Sequence, residues 1–139
     1  MKATGVSGAL RCLSADGLRA APLRPEPPPQ LDLVTFFERR LPAATGVCEG
    51  VWQDTLYAPL REFLGRAGKL LRARLVAHGW RLAGGCGEAP QTLCLLPELL
   101  HSASLIVDDI QDGAVLRRGG PALHRVIGPE RALNAANWL

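Results

Sequence analysis

The chain has 139 residues, a formal net charge of +3, and a composition that is 47% hydrophobic and 21% charged. These values are typical of one globular domain or part of one, and they exclude a wholly disordered chain. The basic residues are scattered among acids and leucines, so no nucleic-acid-binding stripe is predicted. No apolar run approaches the roughly 20 residues that a transmembrane helix needs.

The four cysteines, Cys12, Cys48, Cys86 and Cys94, lie far apart in the sequence. They form no CxxC pair, which argues against a zinc site and against a thioredoxin-like motif. No uninterrupted apolar segment follows the first basic residues, so no secretory signal is predicted. We therefore expect reduced, packed thiols in a cytoplasmic protein.

The first segment, residues 1–30, begins with Gly, Ala and Ser and ends in a run of prolines. Proline removes backbone donors and favours extended structure, so this segment is predicted to be a flexible leader that ends as a linker. The pattern changes at Leu31, and residues 31–139 are predicted to form a helical domain.

The spacing of apolar residues predicts a series of helices in this domain. They cover residues 31–41, 46–64, 68–82, 92–112 and a last segment that opens at Pro129. The fourth segment is apolar around most of its circumference, which predicts a central, buried helix. Pro97 is expected in its first turns, where a missing backbone donor is tolerated best. No strand pattern stands out.

Three carboxylates, Asp108, Asp109 and Asp112, end the long apolar helix. Side chains four residues apart share one helical face, so Asp108 and Asp112 can converge on one ligand, with Asp109 rotated by about 100°. Crowded acids at a helix C-terminus repel one another and the negative end of the helix dipole. Mg²⁺ relieves this repulsion, because carboxylates bind it and substrate phosphates complete its shell. The alternative is a solvated acidic helix end that leads into a turn.

An arginine pair, Arg117 and Arg118, follows five residues after Asp112 and precedes two glycines. Guanidinium groups recognise phosphate oxygens through paired, charge-assisted hydrogen bonds. Beside acids that bind a metal, the pair indicates a site for a metal–diphosphate complex. The alternative is an ordinary solvated arginine pair in a loop.

Other candidate ligands of an anion lie upstream. Lys69 and Arg72 are helical neighbours at a predicted helix start, where anions are favoured, and His101 lies two helical turns before Asp108. Taken alone, the basic pair is as typical of a solvated surface, and His101 is as typical of a core histidine.

Together these residues resemble the trans-type polyprenyl synthetase family. Residues 98–119, ELLHSASLIVDDIQDGAVLRRG, look like its first aspartate-rich region, and residues 67–73, AGKLLRA, look like its basic GKxxR motif. The motifs stand in the family's order and at about its spacing. The resemblance covers residues 31–139 and implies an all-α fold, the N-terminal part of the isoprenoid-synthase helical bundle.

The resemblance also implies an activity, the condensation of isopentenyl diphosphate with an allylic diphosphate by a Mg²⁺-dependent prenyltransferase. The small residues Ala103 and Ser104, just before Asp108, favour a product of geranylgeranyl length or longer. The family likeness further implies a homodimer in the full-length form. The implied roles are Asp108, Asp109 and Asp112 as catalytic Mg²⁺ ligands, Arg117 as a further contact to the allylic diphosphate, and Lys69, Arg72, His101 and Arg118 as the isopentenyl diphosphate site.

The sequence departs from the family pattern in two ways. Ala67, Leu70 and Ala73 stand where the family often has Gly, Arg and Pro. No second DDxxD motif is present, although family members carry one on a later helix that faces the first. We therefore expect an incomplete chain, truncated before the second aspartate-rich helix and inactive by itself.

Two other functions remain open at this point. A non-catalytic partner subunit of a prenyl synthase would also lack the second acidic motif. A class I terpene cyclase also uses an acidic metal motif on a helix, but it needs no second diphosphate site. The GKxxR motif, His101 and the arginine pair therefore argue against a cyclase.

Overall fold

The structure is a computed structural model that describes residues 32–39, 49–66 and 68–139. The predicted leader, residues 1–30, lies outside the described residues. Among the described helices, none is long and apolar enough to cross a membrane. The described elements are α1 (Leu33–Glu38), α2 (Glu49–Trp52), a π-helical segment (Gln53–Tyr57), α3 (Ala58–Gly65), α4 (Leu71–Leu82), α5 (Gln91–Gln111), β1 (Leu116–Arg117), β2 (Gly120–Pro121), α6 (Leu123–Ile127) and α7 (Pro129–Trp138).

The first helix begins where its sequence supplies a cap. Asp32 accepts hydrogen bonds from the Thr35 backbone N–H at 3.0 Å and from the Thr35 hydroxyl at 2.6 Å. These bonds lower the pKa of Asp32, because they favour its charged form. Helix α1 then buries Leu33, Phe36 and Phe37 in the core.

The second predicted helix contains a π segment shortly before Pro59. This segment ends at Tyr57, two residues before the proline, and the Ala58 N–H donates to the Gln53 carbonyl five residues back. A proline ring crowds the carbonyl four residues earlier, and a π segment is one way in which a helix accommodates such a local conflict. Helical structure therefore runs without a break from Glu49 to Gly65.

Helix α5 is the longest element, at 21 residues, and it departs from two expectations. Pro97 lies inside the helix, in its second turn, and not at a first-turn position where no backbone donor is needed. Only one side is covered by the described chain, since Leu95 is fully buried whereas Leu96 and Leu100 are 50% and 62% exposed. The prediction that this helix is buried all round therefore fails for the described part of the chain.

The main core joins α5 to helices on both sides of it in sequence. Helix α7 packs against α5, and Trp138 at its end lies 5.6 Å from the Phe37 ring and 5.8 Å from the Tyr57 ring. The fully or nearly fully buried large side chains of this core include Leu60, Phe63, Leu95, Ile106 and Leu123.

A second, smaller cluster lies between α4 and α5. Ala73 and Ala77 pack against Cys94, and these small side chains let the two helices come close. Cys94 is a free, buried thiol whose pKa burial raises. The expectation of reduced thiols is therefore confirmed for Cys94, but it is wrong for Cys86, which is disulfide-bonded.

The C-terminal part contains one predicted element and two that the sequence analysis missed. Helix α7 begins at Pro129, as predicted. Before it stand the short helix α6 and an antiparallel hairpin in which Leu116 pairs with Pro121 and Arg117 with Gly120. Two-residue strands carry too little alternation to be read from sequence. The all-α fold class is confirmed apart from this hairpin.

Two glycine substitutions should test how α5 ends. Gly113 has φ +62° and follows α5, while the Ala114 N–H bonds the Asp109 carbonyl at 2.9 Å, the pattern of a glycine C-cap. We expect Gly113→Ala to lower the free energy of unfolding by about 1 kcal/mol, because a Cβ disfavours the left-handed conformation.

Gly79 is the matched control, since it lies within α4, has no positive φ, and would place an added Cβ in open space. Gly79→Ala should stabilise by about 0.5–1 kcal/mol. Urea unfolding measures both values, and equal effects of the two alanines would contradict the assigned cap.

Candidate functional site

Two carboxylates lie exposed at the end of α5. Asp108 is in the last turn of the helix, Asp112 is its C-cap, and the Asp112 N–H bonds the Asp108 carbonyl at 2.8 Å. Both side chains are exposed, and no hydrogen bond or ion pair joins either carboxylate to the described residues. The two acids are thus placed one helical turn apart with oxygen atoms open to a ligand.

Asp109 has a different environment, because its side chain is only 1% exposed. Arg117 Nε donates to both of its carboxylate oxygens, at 2.8 and 3.1 Å, and Arg117 Nη2 donates to Oδ1 as well. The pair raises the pKa of Arg117, chiefly through this hydrogen bond. Asp109 therefore fixes the guanidinium group of Arg117 against the end of α5, rather than facing solvent with Asp108 and Asp112.

The turn of the hairpin points Arg118 away from these acids. Arg118 and Gly119 have φ values of +51° and +78°, so both central residues of the turn show the positive φ of a type I′ turn. The Arg118 Cζ lies 5.8 Å from the Phe63 ring centroid. A Cβ placed on Gly68 would lie 3.6 Å from the same Cζ, so the arginine reaches the GKLLR segment.

A cavity of about 290 Å³ lies between this arginine and the start of α4. Its lining includes Gly68, Leu70, Glu98 and Arg118. Leu70 and Arg118 are the two non-glycine residues with positive φ in the described ranges. Such a conformation costs on the order of 1–3 kcal/mol and clusters at functional sites, so backbone strain is concentrated where the two segments meet.

Glu98 is a site residue that the sequence analysis did not single out. It is 4% exposed, and its Oε1 accepts hydrogen bonds from the backbone N–H groups of Arg72 at 2.8 Å and Ala73 at 3.1 Å. Leu70, at the N-cap position, supplies no side-chain cap, so a glutamate from the neighbouring helix does. Glu98 is the one acid in the sequence between Gln91 and Val107. A single acid in so apolar a segment is the sequence feature that could have identified it.

The pKa of His101 is shifted by burial and by the charged residues near it. Desolvation lowers its pKa, and the positive charges of Arg72 and Arg118 lower it further, while Glu98 and Asp108 act in the opposite direction. Desolvation, with smaller contributions from neighbouring arginines, likewise lowers the pKa of Arg118. A bound anion would offset the part of these shifts that comes from the neighbouring arginines.

The structure thus brings most of the predicted residues to the C-terminal half of α5. Arg72, His101 and Arg118 come together from α4, α5 and the hairpin. Lys69 is exposed in the turn before α4 and makes no hydrogen bond or ion pair with the described residues.

The fit of these residues to Mg²⁺ depends on their oxygen atoms. Within the described ranges, no three His, Cys, Asp or Glu side chains converge on a point that could hold a metal ion. Mg²⁺ characteristically uses one or two carboxylates with waters and substrate phosphates. Asp108 and Asp112 meet that requirement, because both are exposed hard-oxygen donors beside a phosphate-type cluster.

Comparison with protein families agrees with this geometry. A family model described as polyprenyl synthetase matches residues 53–139, more than half of the chain. The chain belongs to the polyprenyl synthetase family. The match includes the whole of α5, the hairpin and the GKLLR segment.

Curated members of the polyprenyl synthetase family show the same likeness. The chain is 34% identical over 100 residues to a geranylgeranyl pyrophosphate synthase of Macrophomina phaseolina, covering 70% of this chain and 31% of that protein. It is 32% identical over 118 residues to one of Penicillium ochrochloron, covering 84% and 33%. The chain therefore spans about a third of the length of these relatives. No solved structure matches it significantly.

Removal of the Glu98 carboxylate should weaken the start of α4. In Glu98→Ala the N–H groups of Arg72 and Ala73 lose their acceptor, and we expect a loss of about 1–3 kcal/mol in the free energy of unfolding. Urea unfolding, with amide hydrogen exchange at residues 72–73, measures the change. Glu88→Ala, at an exposed loop position, should shift stability by less than about 0.5 kcal/mol; equal losses would refute the cap.

The pKa of His101 gives a pH prediction. Because burial and the neighbouring arginines hold the pKa of His101 in the folded state below its ordinary value of 6.5, the unfolded chain binds more protons as the pH falls through that value. The stability that neutral His101 contributes is therefore complete above about pH 6.5. It is lost as the pH falls towards the lower folded-state pKa.

NMR titration of the His101 ring should report a pKa below 6.5 in the free protein and a rise when inorganic pyrophosphate is added. His101→Gln should remove this part of the pH dependence of unfolding. A ring pKa that pyrophosphate leaves unchanged would show that His101 does not face the bound anion.

Proposed function

We propose that the protein containing this chain is a prenyltransferase that condenses isopentenyl diphosphate with an allylic diphosphate to give a longer trans-polyprenyl diphosphate. The observation that carries this proposal is the pair of neighbouring environments of opposite charge along the C-terminal half of α5. Exposed carboxylates suited to Mg²⁺ lie beside a cationic cluster suited to a second diphosphate. The curated relatives are geranylgeranyl pyrophosphate synthases by name, which supports a product of that length.

The allylic diphosphate is assigned to the acidic side. Asp108 and Asp112 would hold Mg²⁺, and Arg117 would add positive charge to the same diphosphate. Asp109, predicted as a third ligand, acts here by fixing Arg117 through their ion pair. When bound, Mg²⁺ supplies positive charge that stabilises the departing diphosphate.

Isopentenyl diphosphate is assigned to the cationic side. Arg118 lines the cavity next to the start of α4, and Arg72 and Arg118 lie close enough to His101 for their charges to lower its pKa. Lys69, in the segment before α4, can swing towards an anion because its side chain is exposed. Arginine suits this role because its rigid fork matches phosphate oxygens. Two separate diphosphate sites also distinguish this assignment from a terpene cyclase, which needs one.

The reaction requires ionisation of the allylic substrate, attack by the isopentenyl double bond and loss of a proton. The apolar part of α5 would shield the cation from water. Ala103 and Ser104 lie one turn before the acids and are small, so they leave room for a growing chain. This placement favours a product of geranylgeranyl length or longer.

We further propose that catalysis needs residues that are not among the 139 of this sequence. The acids of α5 supply one side of a metal site, and the sequence contains no second DDxxD motif. We therefore propose that these residues bind diphosphates but turn substrate over only within the complete protein, as a homodimer. The cytoplasmic location remains a prediction from sequence.

Loss of one proposed metal ligand gives the direct test of this function. In the complete protein, Asp108→Ala should lower Mg²⁺-dependent turnover at least about 10²-fold, the scale for losing one preorganised electrostatic contact. Incorporation of labelled isopentenyl diphosphate measures turnover, and circular dichroism verifies the helical fold.

Asp54→Ala is the matched control, because Asp54 is an exposed acid on the π segment. This variant should retain normal activity. Normal activity in Asp108→Ala as well would reject the proposed function.

A further inference from the structure

Arg66 lies just after α3 and makes a set of contacts that the proposed chemistry does not use. Its Nε and Nη2 donate to the two carboxylate oxygens of Glu62, at 2.9 and 2.6 Å. Its Nη1 donates to the backbone carbonyls of Arg117 at 3.1 Å and Pro121 at 2.6 Å. Its side chain is only 9% exposed.

These contacts join both strands of the hairpin to α3. The Arg117 carbonyl belongs to β1 and the Pro121 carbonyl to β2, so one guanidinium group contacts each strand. The strands are two residues long and have few hydrogen bonds of their own. An isolated hairpin is at best marginally stable, so its position depends on contacts with the rest of the protein.

The hairpin has a glycine at the point where Arg66 contacts it. A Cβ placed on Gly120 would lie 2.7 Å from the Arg66 Cζ, closer than real atoms approach. The glycine therefore leaves the space in which the guanidinium group meets the hairpin. The Arg66 Cζ also lies 5.7 Å from the centroid of the Phe63 ring, the same ring that Arg118 approaches.

We propose that Arg66 is a positioning residue for the isopentenyl diphosphate site, which it serves by holding the hairpin so that Arg118 reaches the GKLLR segment. Arg117 has a second anchor in Asp109. Arg118 has no such ion pair among the described residues, so its placement depends more strongly on the hairpin backbone. This inference rests on the proposed function.

Two substitutions remove the contact by different means. Arg66→Met deletes the donors and the charge. Gly120→Ala keeps every charge but forces Arg66 out of its position. Arg66→Lys should rescue only in part, because an ammonium group cannot match the two oxygens of Glu62 and both carbonyls with one planar fork.

Steady-state kinetics of the complete protein give the readout. We expect Arg66→Met and Gly120→Ala each to raise KM for isopentenyl diphosphate about tenfold to a hundredfold, the scale for a small misplacement of a binding group. KM for the allylic diphosphate should rise less, because Asp109 still holds Arg117. A purely structural role would lower the amount of folded protein without this difference between the two KM values.

Each variant has a matched control. Arg61→Met removes an arginine of the same helix that pairs with Glu38 on the surface, and Gly79→Ala adds the same methyl group in open space. Both controls should keep the KM values of the unaltered protein. If Arg66→Met and Gly120→Ala also keep them, the role of Arg66 is wrong while the proposed function stands. If the unaltered protein incorporates no isopentenyl diphosphate, the proposed function is wrong, and the proposed role of Arg66 is then wrong as well.

Discussion

The ion pair between Asp109 and Arg117 determines how the end of α5 is arranged. The carboxylate is almost fully buried, and one guanidinium group contacts both of its oxygens. A buried charge without its partner costs about 3–5 kcal/mol, although the partial exposure of Arg117 lowers that figure here. The chain must therefore turn back after Gly113 and bring β1 against the helix. Asp108 and Asp112, which have no such partner in the described structure, are left facing solvent.

This constraint separates the two arginines of the pair in space. Arg117 is held beside the acids, whereas Arg118, in a left-handed conformation at the hairpin turn, is directed towards the start of α4. Glu98 stabilises that start from within α5 by accepting from two backbone N–H groups. A single helix thus organises both halves of the site, with acids at its end and a capping glutamate two to three turns earlier. Positive φ at Leu70 and Arg118 places backbone strain where the hairpin turn meets the start of α4.

The sequence predicted the parts of this arrangement that depend on local pattern. The apolar spacing located α5 to within one residue at each end, and Pro129 located the start of α7, because periodicity and a proline at N1 are local signals. The resemblance to polyprenyl synthetases correctly identified the family. What local patterns could not show were the contacts between distant residues. Arg66 meets the hairpin across more than 50 positions, and Glu98 caps a helix 25 or 26 residues earlier.

One mistaken expectation has a clear physical cause. Helix α5 was predicted to be a central, buried helix, but composition does not show which neighbours a side chain has. The environment of Asp109 could not be predicted from the sequence for the same reason. The exposed leucines of α5 and the buried Asp109 both depend on which elements pack there.

The central claim is that one end of α5 joins a metal-dependent diphosphate site to a metal-independent one. Calorimetric titration of the complete protein with each substrate alone, in Mg²⁺ and then in EDTA, tests it most directly. We expect EDTA to abolish binding of the allylic diphosphate but to leave binding of isopentenyl diphosphate largely intact. Equal dependence of both substrates on Mg²⁺, or binding of neither, would contradict it.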